Sequence, residues 1–145
     1  MSAQGQTVPV FVYGTLLADD GVGNQFGRRV QVRRSAIAWV AGTLYQGTYP
    51  YLVLPRVGDA PRKVWGKLFA LDQADLATYD AIERIPDLYQ RVWTPVALDR
   101  EERPSTSAWA YVRPVGEGDD PVVPSGQFRD WRDAGLFPLP MRTLL

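Results

Sequence analysis

Histidine and cysteine are both absent from this 145-residue chain. Their absence excludes a Ser-His-Asp triad, a thiol nucleophile, imidazole or thiolate metal sites, iron–sulfur clusters and structural disulfides. Lysine is nearly missing too, present only as Lys63 and Lys67, so arginine carries the basic charge. What remains to titrate near neutral pH is a carboxylate with a raised pKa, a perturbed lysine or tyrosine, or the terminal amine. Any catalysis must rest on carboxylates and backbone groups. Net charge is lacking as well, because sixteen basic and sixteen acidic residues cancel. That balance speaks against a general nucleic-acid binder, whose domain is usually basic. No run approaches the roughly 18 apolar residues of a membrane-spanning helix. The first residues, Met-Ser-Ala-Gln-Gly-Gln-Thr7, have neither the charged start nor the apolar centre of a secretory signal. The expectation is a cytoplasmic protein with no nucleic-acid and no membrane partner.

Against these absences stand five Trp, seven Tyr and five Phe within a 46% hydrophobic composition, which excludes global disorder. Residues 1–7 read as a flexible tail and residues 8–145 as a single domain, large enough to bury roughly two-thirds of its unfolded surface. Val8-Pro-Val-Phe-Val-Tyr13 reads as a buried strand that stops at Gly14-Thr15. A bent strand follows through Gly42, then an edge-like strand over Tyr49 to Leu54, with Pro50 near its start. Lys63 to Ala70 alternates polar and apolar residues and is the clearest strand. Asp72 is placed to cap a helix whose apolar face would comprise Leu76, Tyr79, Ala81, Ile82 and Ile85, ending at Pro86. Two further strands, Arg91 to Leu98 and Ser107 to Val112, flank a charged turn over Asp99 to Pro104. A short closing helix is expected over Ser125 to Arg132. The pattern predicts an α+β fold with a curved mixed sheet and two or three helices.

Two constellations could carry chemistry. In Val12-Tyr-Gly-Thr-Leu16, an apolar strand runs into Gly-Thr, which exposes backbone N–H groups suited to a carboxylate or an oxyanion. The alternative is a tight turn in which Gly14 only supplies a positive φ. In Tyr79-Asp-Ala-Ile-Glu83-Arg-Ile-Pro-Asp-Leu-Tyr89-Gln-Arg91, Asp80 and Glu83 share a helix face. Partial burial at the helix end would suit Glu83 to general-base work, whereas on an outer face both acids would simply pair with Arg84 and Arg91. Three other features read as structural. Arg28, Arg29, Arg33 and Arg34 lie on the exposed side of a connection in a chain of zero net charge. Tyr45, Tyr49, Tyr51, Trp65, Trp109 and Tyr111 are strand aromatics, of which one or two could line a pocket mouth. Gly21 to Gly27 lacks the ending and context of a phosphate loop.

In sequence order, these residues resemble the γ-glutamylcyclotransferase-like family, including its AIG2-like and γ-glutamylamine cyclotransferase branches. Val12-Tyr-Gly-Thr-Leu16 resembles the family's N-terminal substrate loop. Gly42-Thr-Leu-Tyr45, Tyr49-Pro-Tyr-Leu-Val53 and Val64-Trp-Gly-Lys-Leu-Phe69 resemble its middle strands. Asp80-Ala-Ile-Glu83 with Tyr89-Gln-Arg91 resembles the block that holds the catalytic glutamate, and Ala108-Trp-Ala-Tyr111 resembles a late strand. Arg84 departs from the pattern by standing where the family commonly has glycine, and Tyr79 replaces a commoner leucine.

The resemblance implies a barrel-like mixed sheet and a cavity between the Tyr-Gly-Thr-Leu loop and the glutamate. It also implies cyclisation of a small γ-glutamyl amine or amide to 5-oxoproline with release of the amine. Glu83 would be the general acid/base, Tyr13, Gly14, Thr15 and Leu16 would bind substrate, and Tyr49, Tyr89 and Tyr111 would stand around the pocket. The substrate brings its own nucleophile, so no enzymic Ser or Cys is required, and neither metal nor cofactor has a role. Loops 17–27 and 113–124 would shape the amine half. The other reading is a non-catalytic module that binds a γ-glutamyl or amino-acid-like ligand on the same fold, with Arg84 weakening Glu83 as a base.

Overall fold

The computed structural model describes residues 6–14, 16–17, 30–85 and 87–128. Seven strands form one mixed sheet, interrupted by one α-helix among the described residues. The strands are β1 (Val8–Val12), β2 (Arg34–Ala41), β3 (Thr43–Gln46), β4 (Pro50–Val53), β5 (Lys63–Leu71), β6 (Gln90–Leu98) and β7 (Thr106–Val112). The helix α1 (Gln73–Ile82) lies between β5 and β6.

β5, the clearest alternating run in the sequence, lies between β1 and β2. β1 pairs antiparallel along one edge (Val8↔Leu71 to Val12↔Lys67) and β2 along the other (Arg34↔Ala70 to Ala41↔Lys63). β2 passes to β6 through Ala38↔Leu98 and Trp39↔Ala97, and β6 pairs with β7 from Gln90↔Val112 to Val96↔Thr106. A parallel pairing of β1 with β7 at Val10↔Trp109 and Phe11↔Ala110 then closes a ring of five strands. The β3–β4 hairpin leaves this ring, joined to β7 by a parallel contact at Leu52↔Val112. The bent strand expected through Gly42 is thus two strands, β2 and β3, that serve different parts of the sheet.

Strand alternation sorts the core into two clusters. Phe11, Tyr13, Ala38, Val40, Leu44, Leu52, Val64, Val96, Ala108, Ala110 and Val112 pack together on the inner side of the ring. Val10, Val12, Tyr51, Phe69, Leu71 and Tyr111 face outward, where Leu76 and Tyr79 of α1 cover them. The inner side is filled by alanines and by Gly66, where a Cβ would come within 2.0 Å of the Val12 carbonyl and 2.9 Å of the Phe11 ring. Glycine is therefore required in the Val-Trp-Gly-Lys-Leu run, because the end of β1 passes against it.

The helix differs from expectation in its buried face. Leu76 and Tyr79 are buried and Ile85 is partly so, but Ala81 and Ile82 are exposed. The helix also stops earlier than Pro86, which lies outside the described residues. Asp72 has the extended backbone of an N-cap without a side-chain capping bond. Of the closing helix expected over residues 125–132, residues 129–132 lie outside the described residues, as do Arg28, Arg29 and residues 21–27. No helix among the described residues is long and apolar enough to cross a membrane.

Candidate active site

The site begins where β1 ends. Val10 and Val12 point under the helix, so Phe11 and Tyr13 point into the ring. The Tyr13 hydroxyl reaches the place where β1 and β4 divide the free edge of β7 between them. There it accepts from the Leu52 N–H (3.0 Å) and donates to the Tyr111 carbonyl (2.5 Å). A parallel ladder would bond that N–H directly to that carbonyl, as the Arg113 N–H does to the Leu52 carbonyl one step further on (3.0 Å). Tyr13 therefore bridges a split in the sheet, and both backbone groups are satisfied. The chain then turns, with the Leu17 N–H donating to the Gly14 carbonyl (3.0 Å). Leu16 and Leu17 are buried in the outer cluster and hold the turn down. Gly14 does not have a positive φ, so a turn conformation is not its reason. A Cβ there would stand 3.1 Å from Pro50 Cγ, which makes the glycine a matter of space. Thr15 lies outside the described residues.

The facing wall is the C-terminal turn of α1. The Arg84 N–H donates to the Ala81 carbonyl (3.2 Å) and the Ile85 N–H to the Asp80 carbonyl (3.1 Å), which is the Schellman pattern. Arg84 occupies the left-handed position of that motif, with φ 56°. This explains why glycine would suit the position, and it makes Arg84, not Pro86, the residue that ends the helix. Glu83 is the C-cap, with its N–H on the Tyr79 carbonyl (2.9 Å). The turn is anchored by Asp80, whose Oδ1 accepts from the Tyr111 hydroxyl (2.7 Å) and pairs with Arg91 Nε (3.0 Å). Arg91 in turn lies over the Trp109 ring, 4.3 Å from its centre. The two acids three residues apart thus divide their work: Asp80 docks the helix on β6 and β7, and Glu83 faces the cavity.

That cavity has a volume of about 220 Å³ and is lined by Val12, Tyr13, Gly14 and Leu16 on one side and Ile82, Glu83 and Arg84 on the other. Phe11, Tyr49, Pro50, Leu88, Tyr89 and Tyr111 complete it. Every described residue expected at the site from sequence is therefore on its wall. Pro50, Leu88, Ile82 and Phe11 were not expected. Pro50 could have been found from its motif, since its carbonyl accepts from the Tyr89 hydroxyl (2.8 Å) and its ring abuts Gly14. Tyr49 stands at the rim, 57% exposed.

The electrostatics narrow the possible proton acceptors. Burial pushes the Tyr13 hydroxyl well above its ordinary pKa, and the nearby Tyr89 and the negative Glu83 push it further. Tyr89 is raised by burial and then by Glu83, and Tyr111 by burial and then by its bond to Asp80. All three stay neutral phenols at physiological pH, and each hydroxyl already donates to a protein oxygen. Glu83 is the one carboxylate lining the cavity among the described residues, and Arg84 the one cation. No group of three or more acidic side chains among the described residues is placed to hold a metal ion. The arrangement offers one proton acceptor, one cation and a largely apolar enclosure at the end of a strand.

Comparison with known proteins bears on the same region. Residues 10–132 match the family model described as gamma-glutamyl cyclotransferase, AIG2-like. The chain is 33% identical over 109 residues to the gamma-glutamylaminecyclotransferase of Bos taurus, covering 67% of this chain and 61% of that protein. The chain thus spans under two-thirds of the length of that curated relative. Among solved structures it is similar to an AIG2-like protein from Mus musculus, with a TM-score of 0.55 and 21% identity. That alignment covers 78% of this chain and 81% of that one. It is also similar to a protein from Arabidopsis thaliana, with a TM-score of 0.56 and 27% identity over 96% of this chain and 82% of that one. These likenesses agree with the barrel-like α+β fold read from the strand pairing.

Proposed function

The chain belongs to the gamma-glutamyl cyclotransferase, AIG2-like family, and on that premise we propose that it converts a γ-glutamyl amine or related γ-glutamyl amide to 5-oxoproline and the free amine. Glu83 is the general acid/base of this reaction. The observation that carries the reading is that Glu83, the one carboxylate on the described cavity wall, lines the same cavity of about 220 Å³ as Tyr13, Gly14 and Leu16.

The chemistry asks little else of the protein. The γ-glutamyl chain folds back in the enclosure, so that its own α-amine approaches the γ-carbonyl carbon. Fixing that geometry makes the attack intramolecular and removes much of its entropic cost. Glu83 takes a proton from the α-ammonium group, the nitrogen adds to the carbonyl carbon, and an oxyanion develops. Backbone N–H groups of the turn at residues 13–16 stabilise that charge or hold the α-carboxylate. As the tetrahedral intermediate collapses, Glu83 returns that proton to the leaving nitrogen and the C–N bond breaks. The ring nitrogen gives up its extra proton through the freed Glu83 carboxylate, so the lactam leaves neutral and the amine leaves as an ammonium ion. Atoms and charge balance without an enzymic nucleophile. The three tyrosines shape the cavity as neutral phenols and take no proton.

The test supplies a panel of γ-glutamyl amines and isopeptides and follows 5-oxoproline by mass spectrometry. Glu83→Gln is expected to keep the fold and substrate binding while losing turnover by at least ~100-fold, the scale of a general base. Retained turnover in that variant removes Glu83 from the role. Calorimetric binding without product, in the folded wild-type protein, would replace the enzyme by a binding module with the same cavity.

A further inference from the structure

Arg84 is the one non-glycine residue with a positive φ among the described residues. Glycine enters the left-handed region without cost and arginine only at a cost, so strain is retained at this position. The same residue lines the cavity, next in the chain to the proposed base. We propose that Arg84 is a specificity-determining residue that recognises an anionic group on the leaving half of the substrate.

The cavity itself sorts deep residues from outer ones. Val12, Tyr13, Tyr89 and Tyr111 are buried and form its floor, whereas Tyr49, Ile82 and Arg84 are exposed and form its mouth. At about 220 Å³ it is smaller than the ~300–1,000 Å³ of pockets that enclose drug-sized ligands. It suits an amino-acid-sized γ-glutamyl head, which the chemistry requires to lie against Glu83. The leaving half then passes through the mouth, where it meets an aromatic ring, an aliphatic side chain and a guanidinium. A cationic leaving half would be repelled there, and a carboxylate would find the planar donor fork that matches it. Specificity on this side is set by one charge.

This inference rests on the cyclotransferase reading, and its test separates the two. γ-Glutamyl-leucine and γ-glutamyl-leucinamide differ by a single negative charge on the leaving half. The wild-type protein is expected to favour the acid in kcat/KM by about tenfold or more, the scale of one charge-assisted hydrogen bond. In Arg84→Gln the ratio of acid to amide falls toward one, and Arg84→Lys, which keeps the charge but loses the fork, retains part of it. A wild-type ratio near one overturns the inference and leaves the reaction standing. So does an Arg84→Gln variant that loses both substrates alike, the result expected if Arg84 held the α-carboxylate of the head. No 5-oxoproline from either substrate with folded wild-type protein overturns the reaction and the inference together.

Discussion

At the N-terminus of α1 the chain follows local preference, whereas at the C-terminus it departs from it. Asp72 enters the helix with ordinary extended backbone, and its carboxylate turns outward to Arg33 at 2.7 Å. That end has no positive φ, although the other carboxylate oxygen of Asp72, Oδ1, is buried without a hydrogen-bond partner. The other end satisfies its last carbonyls through a Schellman turn, but does so with an arginine in the left-handed position. Three roles are packed into the residues from 80 to 84: Asp80 reaches the sheet, Glu83 caps the helix, and Arg84 reverses the chain, the last two on the cavity wall. Local rules are broken where side chains must face a site, and kept where nothing is asked of them.

The sharpest way to break this contrast is to remove the anchor of the C-terminal end. Asp80→Ala deprives the buried Tyr111 hydroxyl of its acceptor and the three-quarters-buried Arg91 of its partner. Stranding two such groups is expected to cost about 2–3 kcal/mol. In a chain of this size that lowers Tm by roughly 5–10 °C, measured by calorimetry. Turnover should fall with it, because Glu83 rides on the same turn. A variant of unchanged Tm would mean that α1 is held by its apolar face alone.

Much of the sheet and of the site was legible in the residues alone. β1, β5, β6 and β7 were legible because each alternates or runs apolar within clear stops, and the placement of Tyr13, Gly14, Leu16, Glu83, Tyr89 and Tyr111 around one site followed from the ordered motifs. The barrel-like sheet was legible only through the family resemblance; the pairing of β1 with β7 that closes it depends on partners about a hundred positions apart and leaves no local pattern. The apolar residues Ala81 and Ile82 were assigned to the core, but at about 100° per residue they turn away from the face that Leu76 and Tyr79 bury, and both are exposed. Proline is an obvious stop signal and an arginine is not. Glu83 was singled out for the base role by its place at the helix end, but the docking role of Asp80 was not legible, because spacing gives a shared face and not the neighbours that meet it. Tyr13 was read for its backbone, while its hydroxyl repairs the seam between β1 and β4, a role visible only once the sheet is closed.

A smaller effect sharpens the same comparison from the strained residue itself. Arg84→Gly removes the side chain that makes the left-handed region costly, against some added freedom in the unfolded chain. The balance is expected to stabilise the protein by ~0.5–1 kcal/mol, a rise in Tm of about 2–3 °C. Few substitutions of a charged residue by glycine in a helix turn do this. Greater stability with loss of acid-over-amide preference would show that strain is kept for recognition. A fall in Tm would show that the guanidinium supports the fold and would remove the contrast between the two helix ends.

The smallest effect belongs at the N-terminal end of the helix. A working aspartate cap is worth about 1 kcal/mol, because its oxygen satisfies an N–H that the first turn leaves open. Asp72 makes no such bond. The backbone carbonyl of Asp72 takes the Asp75 and Leu76 N–H groups (3.0 and 3.1 Å), and the carboxylate is spent on an exposed arginine. Asp72→Ala is therefore expected to lower Tm by less than about 2 °C in low salt. The residual shift should fade as salt is raised, since an exposed pair is screened and a cap hydrogen bond is not. A larger, salt-independent loss would mean that Asp72 caps α1 in solution. The helix would then be secured at both ends, and the cavity end would no longer be the only one under constraint.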